Sequence, residues 1–200
     1  MLFGRDAEMT DVESRTRTSR LVTIVGPGGA GKTTLSRAAA ARLSASYPLG
    51  ARLVDLTRVD QPGAVADAMA AQLGFDSFDA LLSSPNDRPA LLIVDNCEHL
   101  LDATADAPHA GARRVPTTDR DCDKPVTPGC ARRIDRLPRT PCPARRRAGP
   151  STCPSVQLFL QRTRDAGAEL AGEDLNVVAE LCRRLDGLPL AIEIAAAVPG

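Results

Sequence analysis

Gly26-Pro27-Gly28-Gly29-Ala30-Gly31-Lys32-Thr33-Thr34 follows the apolar run Leu21-Val22-Thr23-Ile24-Val25 and precedes a helical-looking run from Leu35 to Leu43. Strand, glycine-rich loop and helix in that order carry the spacing G-x-x-x-x-G-K-[ST] of a phosphate-binding loop. Backbone N–H groups must converge on phosphate oxygens there, and glycine lets the chain curl and approach without a Cβ clash. The following helix aims its N-terminal amides at the same point, an attraction of about 0.3–2 kcal/mol. Gly26, Gly28, Gly29, Ala30 and Gly31 form the anion nest. Lys32 reaches the β/γ-phosphates as a compact cation, Thr33 offers its hydroxyl to Mg²⁺, and Thr34 counts with the loop as cofactor-binding. Charge-assisted hydrogen bonds net about 1.5–3 kcal/mol each. Three to five of them, less ordering costs, reach the ~8 kcal/mol of micromolar binding. A glycine-rich turn can also merely reverse a chain, but the strand before and the helix after favour the phosphate.

The whole chain sets the bounds. Its 200 residues, 43% hydrophobic, allow one domain with a proper core, or one and a fraction. Aromatics are 2%, so the core must be aliphatic. Twenty-five basic and 25 acidic residues cancel, leaving no global field that favours DNA or an anionic membrane. There is no 18-residue apolar run, and Met1-Leu2-Phe3-Gly4-Arg5-Asp6 is no signal peptide, so the expected setting is cytoplasmic with no membrane contact. The six cysteines (97, 122, 130, 142, 153 and 182) show no C-x-x-C pair and no ligand cluster with His99 or His109. They read as free thiols rather than a zinc site or a disulfide framework.

A polar helix is expected over Met9–Arg17, a buried strand over Leu21–Val25, and a helix from Thr33 to about Ser44 with Leu35, Ala39 and Leu43 on one face. Ala51–Leu56 reads as a second strand, residues 64–73 as a helix, and Ser77–Leu82 as a short amphipathic piece. Ala90-Leu91-Leu92-Ile93-Val94 then runs apolar into Asp95, as a parallel strand buried on both faces does. An acid at the C-terminal end of such a strand lies where open α/β sheets bind ligands, and beside a phosphate loop Asp95 takes the Walker B role toward Mg²⁺. Its alternative is a helix cap. Glu98 suits either the orientation of an attacking water or a first-turn helix acid, and His99 reads as a packing or surface residue.

From 107 to 153 the character changes. Prolines crowd the stretch, arginines cluster at 113, 114, 132, 133, 136, 139, 145, 146 and 147, and four of the six cysteines lie there. Such a composition buries too little apolar area to offset its ordering entropy, so loop or disorder is expected. Without aromatics among the arginines, DNA binding through Arg132–Arg147 is not expected. From Ser155 order returns. Val156, Phe159, Leu160 and Thr163 share a helical face, Leu175 to Leu185 carries a second helix stopped by Gly187, and Pro189 starts a third.

Several separated motifs then line up with one family. Leu2-Phe3-Gly4-Arg5, the phosphate loop, Leu91-Leu92-Ile93-Val94-Asp95-Asn96-Cys97-Glu98-His99-Leu100, Val156-Gln157-Leu158-Phe159 and Leu185-Asp186-Gly187-Leu188-Pro189-Leu190-Ala191-Ile192-Glu193 occur in that order. The chain resembles the nucleotide-binding module of STAND-class (NB-ARC-like, AAA+-related) ATPases, especially those of large bacterial LuxR- or SARP-type transcriptional regulators. The resemblance covers roughly residues 2–106 and 154–198. It implies an α/β fold, a P-loop NTPase three-layer parallel sheet followed by the start of a small helical lid. The corresponding segments are a nucleotide-binding core at 1–106, the irregular segment at 107–153 and the helical segment at 154–200. It also implies that Gly4 and Arg5 lie near the nucleotide, that Pro189 packs near the adenine, and that ATP/ADP exchange with slow hydrolysis acts as a switch.

The departures are specific. The family inserts a further strand between the first strand and the Asp95 strand and ends it in a sensor arginine. The corresponding place here reads Ala112-Arg113-Arg114-Val115-Pro116-Thr117-Thr118-Asp119-Arg120, and proline is poorly tolerated in a central strand, which leaves the fourth strand in doubt. One explanation for 107–153 is translation out of frame between two compensating shifts, checked by translating the coding DNA in its other frames. The family's effector domains are absent from this sequence, so protein partners or missing domains are implied. The expected function is an ATP/ADP-binding switch with Lys32, Asp95 and Glu98 as the candidate catalytic residues. The alternative is a non-hydrolysing nucleotide-binding remnant or interaction fragment.

Overall fold

The structure is a computed structural model that describes residues 2–19, 21–84, 89–97, 100, 131–134, 150–167 and 175–197. The chain divides into two compact units. One comprises Met1–Ala7, Pro27–Gly31 and Leu137–Gly200, and the other Glu8–Gly26 and Lys32–Arg136.

The larger unit is built on parallel strands. Helix α1 (Asp6–Thr18) buries Met9, Val12 and Thr16, a spacing of three and four that puts them on one face. Strand β1 (Leu21–Ile24) leads into the glycine loop, and α2 (Lys32–Leu43) leaves it with Leu35, Ser36, Ala39, Ala40 and Leu43 buried. Strand β2 (Ala51–Asp55) pairs in parallel with β3 (Leu91–Asp95), with Ala51 opposite Leu91 and Asp55 opposite Asp95. Every residue of β3 is buried, as its uninterrupted apolar run requires. Between these strands, α3 (Ala64–Gln72) supplies Val65 and Met69 to a core shared with Val54, Leu56, Leu92 and Val94. The short α4 (Phe78–Ser83) starts at Ser77, whose side chain accepts from the Ala80 N–H. On the other side, Ala40, Leu43, Leu91 and Ile93 form a second cluster.

Strand β4 (Ala131–Ile134) lies parallel to β1, with Leu21 opposite Ala131 and Ile24 opposite Ile134. The sequence reading leaves 107–153 without regular structure and looks for the fourth strand at 112–120. The structure finds four residues of strand further along, and 112–120 lie outside the described residues. The backbone groups of β1 must find partners once its Val22 and Ile24 are buried, and a short stretch free of proline is enough to supply them. Hydrophobic patterning cannot reveal such a strand, because Ala-Arg-Arg-Ile carries no alternation.

The helical unit contains α5 (Pro154–Asp165), α6 (Leu175–Arg184) and α7 (Pro189–Ala196). Val156, Phe159, Val178, Ala179, Cys182, Ile192 and Ala196 close its core, with Phe3 packed against it. Helix α6 ends on two successive left-handed residues, Asp186 (φ 56) and Gly187 (φ 65), and the Gly187 N–H returns to the Cys182 carbonyl at 3.0 Å. Pro189 then opens α7, its fixed φ suited to a first helical position. Arg162 donates to Glu193 over 2.8 Å and ties α5 to α7. Among the described residues no helix is long and apolar enough to cross a membrane.

Candidate functional site

The glycine loop is held by its own backbone. The Ala30 N–H donates to the Pro27 carbonyl at 3.1 Å, closing a turn in which Gly29 takes φ +73. Gly31 follows at φ +86. Both values lie where a side chain is strained, so the two glycines answer to backbone geometry. Pro27 and Gly28 are exposed, whereas Gly26 and Ala30 are buried.

Lys32 opens α2 and is 6% exposed, and its Nζ donates to the Gly26 carbonyl at 3.0 Å. The ammonium therefore curls back to the first residue of its own loop. Thr33, half-buried, donates its hydroxyl to Asp95 Oδ1 at 3.0 Å, so residues 62 positions apart meet. Asp95 is 3% exposed, at the C-terminal end of the fully buried β3. Thr34 is exposed on α2. A hydroxyl beside a carboxylate is a hard oxygen pair of the kind Mg²⁺ accepts, which fits a cation that keeps several waters and shares phosphate oxygens. Among the described residues no three His, Cys, Asp or Glu side chains gather into a protein-only metal cage. Thr33 and Asp95 are the residues that would hold Mg²⁺.

In the helical unit, Arg5 is 4% exposed, and its guanidinium donates from Nη2 to the Ala30 carbonyl at 3.2 Å. The Leu190 N–H donates to the Gly29 carbonyl at 3.2 Å. A Cβ added at Gly31 would lie 4.0 Å from Pro189 Cγ, so Pro189 is also close to the loop residues of this unit. The structure thus gathers Arg5, Gly29, Ala30, Gly31 and Pro189 in one unit, and Gly26, Lys32, Thr33 and Asp95 in the other. Glu98, His99 and Arg120 lie outside the described residues.

Sequence reasoning missed the surroundings of Asp55. Asp55 Oδ1 accepts the Thr57 hydroxyl at 2.5 Å, the Thr57 N–H at 3.0 Å and Asn96 Nδ2 at 2.9 Å. The Thr57 hydroxyl and the Asn96 amide, followed by the Thr57 N–H, hold the Asp55 carboxyl down at about 2. No sequence pattern signals it, because Asp55 and Asp95 come level only through the pairing of β2 with β3.

Comparison with known proteins agrees with the architecture. No protein-family model matches the chain. An uncharacterised protein of Mycobacterium tuberculosis is 34% identical over 203 residues, covering 97% of this chain and 49% of its own length. A second Mycobacterium tuberculosis protein, provisionally named an HTH-type transcriptional regulator, is 35% identical over 192 residues, covering 90% of this chain and 20% of its own length. The chain therefore spans about half the length of the first relative and a fifth of the second. Among solved structures, the Walker-type ATPase of Pyrococcus abyssi superposes with a TM-score of 0.61 at 13% identity, over 98% of this chain and 67% of that one. With its parallel strands and glycine loop, the chain has the fold of a P-loop NTPase.

Proposed function

We propose that this chain is a nucleotide-binding module that takes ATP or ADP with Mg²⁺ and serves as the switch of a STAND-type signalling ATPase or transcriptional regulator. The observation that carries the reading is the Thr33–Asp95 contact at 3.0 Å, made by a residue that follows in sequence a glycine loop with two left-handed residues, Gly29 and Gly31. On this reading Gly26 and Gly28 to Gly31, with Thr34, offer main-chain amides to the phosphates. Lys32 exchanges the Gly26 carbonyl for a phosphate oxygen, an exchange favoured because the ammonium is attracted more strongly to a full negative charge than to a neutral carbonyl. Arg5 and Pro189 line the nucleoside side. Thr33 and Asp95 would hold Mg²⁺, which would offset phosphate charge, and Glu98 stands as the candidate for orienting water. The regulator-named relative supports a place in transcriptional control. Protein partners or further domains, a cytoplasmic setting and the division at 106 and 154 belong to the same proposal.

A second reading, a module that binds nucleotide without hydrolysing it, draws on Asn96. An amide that cannot accept a proton stands directly after Asp95.

Isothermal titration with ATP and ADP, with and without Mg²⁺, tests the proposal. Micromolar binding that Lys32→Ala abolishes is the expected result, and no binding at millimolar nucleotide refutes it. Phosphate release above the Lys32→Ala background separates the two readings.

A further inference from the structure

Asn96 is one of two non-glycine residues with positive φ among the described residues, at φ 57. Its N–H donates to Asp95 Oδ1 at 3.2 Å, the same oxygen that accepts the Thr33 hydroxyl. Its side-chain amide donates across the strand ends to both Asp55 Oδ1 and Thr57 Oγ1, each at 2.9 Å. Asp55 is itself fixed, because Thr57 donates to it from both its hydroxyl and its N–H. With the amide anchored and φ fixed, the peptide plane joining Asp95 to Asn96 is fixed too. Its N–H then stays aimed at Oδ1 and, with the Thr33 hydroxyl, sets the orientation of the carboxylate. Asparagine suits the position twice over, tolerating the left-handed region and carrying the amide that reaches β2.

We propose that Asp55 and Thr57, acting through Asn96, are positioning residues for the Asp95 carboxylate and set how strongly a divalent cation arriving with a nucleoside polyphosphate is held. This rests on the nucleotide-binding reading above. Asp55 contributes as a hydrogen-bond acceptor, not as a charge on the cation. The neutral isostere Asn keeps an acceptor oxygen on the same stem and so preserves the relay, whereas Ala breaks it.

The test is isothermal titration of the full chain with ATP over a series of Mg²⁺ concentrations and in EDTA. Outer-sphere partners of metal ligands are typically worth about 10–100-fold in metal affinity. Asp55→Ala and Asn96→Gly are expected to raise the Mg²⁺ concentration that half-saturates the gain in ATP affinity by about tenfold, with affinity in EDTA unchanged. Asp55→Asn is expected to stay with the wild type. Thr57→Val, at an exposed position, removes the hydroxyl shared by Asp55 and Asn96 and gives the same direction should Asp55→Ala fail to fold. Unaltered Mg²⁺ dependence in the folded variants overturns the proposal and leaves nucleotide binding intact. Asp55→Asn as severe as Asp55→Ala also overturns it, since the charge would then act directly. A wild type that ignores ATP in both conditions overturns the nucleotide reading and this inference together.

Discussion

Leu190 occupies the space that a side chain at Gly29 would need. A Cβ built on Gly29 would lie 2.7 Å from Leu190 Cβ and 3.1 Å from its Cδ2. The backbones meet as well, since the Leu190 N–H donates to the Gly29 carbonyl at 3.2 Å. A left-handed backbone costs alanine about 1–2 kcal/mol, and overfilling a packed contact costs typically about 1–3 kcal/mol. Gly29→Ala therefore lowers the urea midpoint, and adding Leu190→Ala does not restore it, because the offending Cβ remains. A midpoint equal to that of the wild type would remove the contact from the account.

The pairing of Thr33 with Asp95 is equally open to measurement without nucleotide. Asp95 is buried, and removal of a hydroxyl partner from a buried acceptor costs about 1–3 kcal/mol. Thr33→Val is expected to lose stability in that range, while Thr33→Ser keeps the donor and most of the stability. Equal urea midpoints for the two variants would show that the hydroxyl contributes nothing in the free protein.

Asp55 makes a prediction in pH. Its carboxyl is lowered from 3.8 to about 2, first by the Thr57 hydroxyl, then by the Asn96 amide and the Thr57 N–H, with Arg37 adding attraction and burial opposing. A depressed folded value means stability that is fully present above the unfolded value of 3.8 and lost as pH falls through about 2. The stability difference between wild type and Asp55→Asn is thus flat above 3.8 and shrinks below it. A carboxyl carbon titration midpoint near 3.8 for Asp55 by NMR would contradict the hydrogen bonds.

In the helical unit, Ile192 is fully buried against a core that includes Val156, Phe159 and Cys182. Ile192→Ala is expected to cost about 2–5 kcal/mol by denaturant titration. The exposed pair Arg162–Glu193 is expected to contribute at most about 1 kcal/mol in a double-mutant cycle, less in high salt. A coupling larger than the loss at Ile192 would reverse the ranking of packing over surface charge.

Much of this was legible before the structure. The run Leu91–Val94 announces a strand buried on both faces, and all of β3 is buried. Leu35, Ala39 and Leu43 repeat at helical spacing, and each is at most 3% exposed. The phosphate-loop spacing puts Lys32 and Thr33 at the head of α2 because a glycine turn and a helix start are local features. Contacts that depend on register stayed hidden. Asn96 reaches Asp55 because β2 and β3 end level with each other, and no pattern within one strand encodes that alignment. The Leu190–Gly29 contact joins residues 161 positions apart, and β4 reads as an arginine-rich loop until β1 supplies its partner.

The chain contains no tryptophan, so its folding is nearly silent to intrinsic fluorescence. Its cysteines supply another reporter. Cys97 is buried in the sheet unit, and Cys153 and Cys182 are buried in the helical unit, where the two thiols flank Ser155. An alkylating reagent can reach each only when its surroundings open. The rate at which each tryptic peptide gains mass, resolved by mass spectrometry, would then time the breathing of one unit independently of the other, with the natural sequence left untouched.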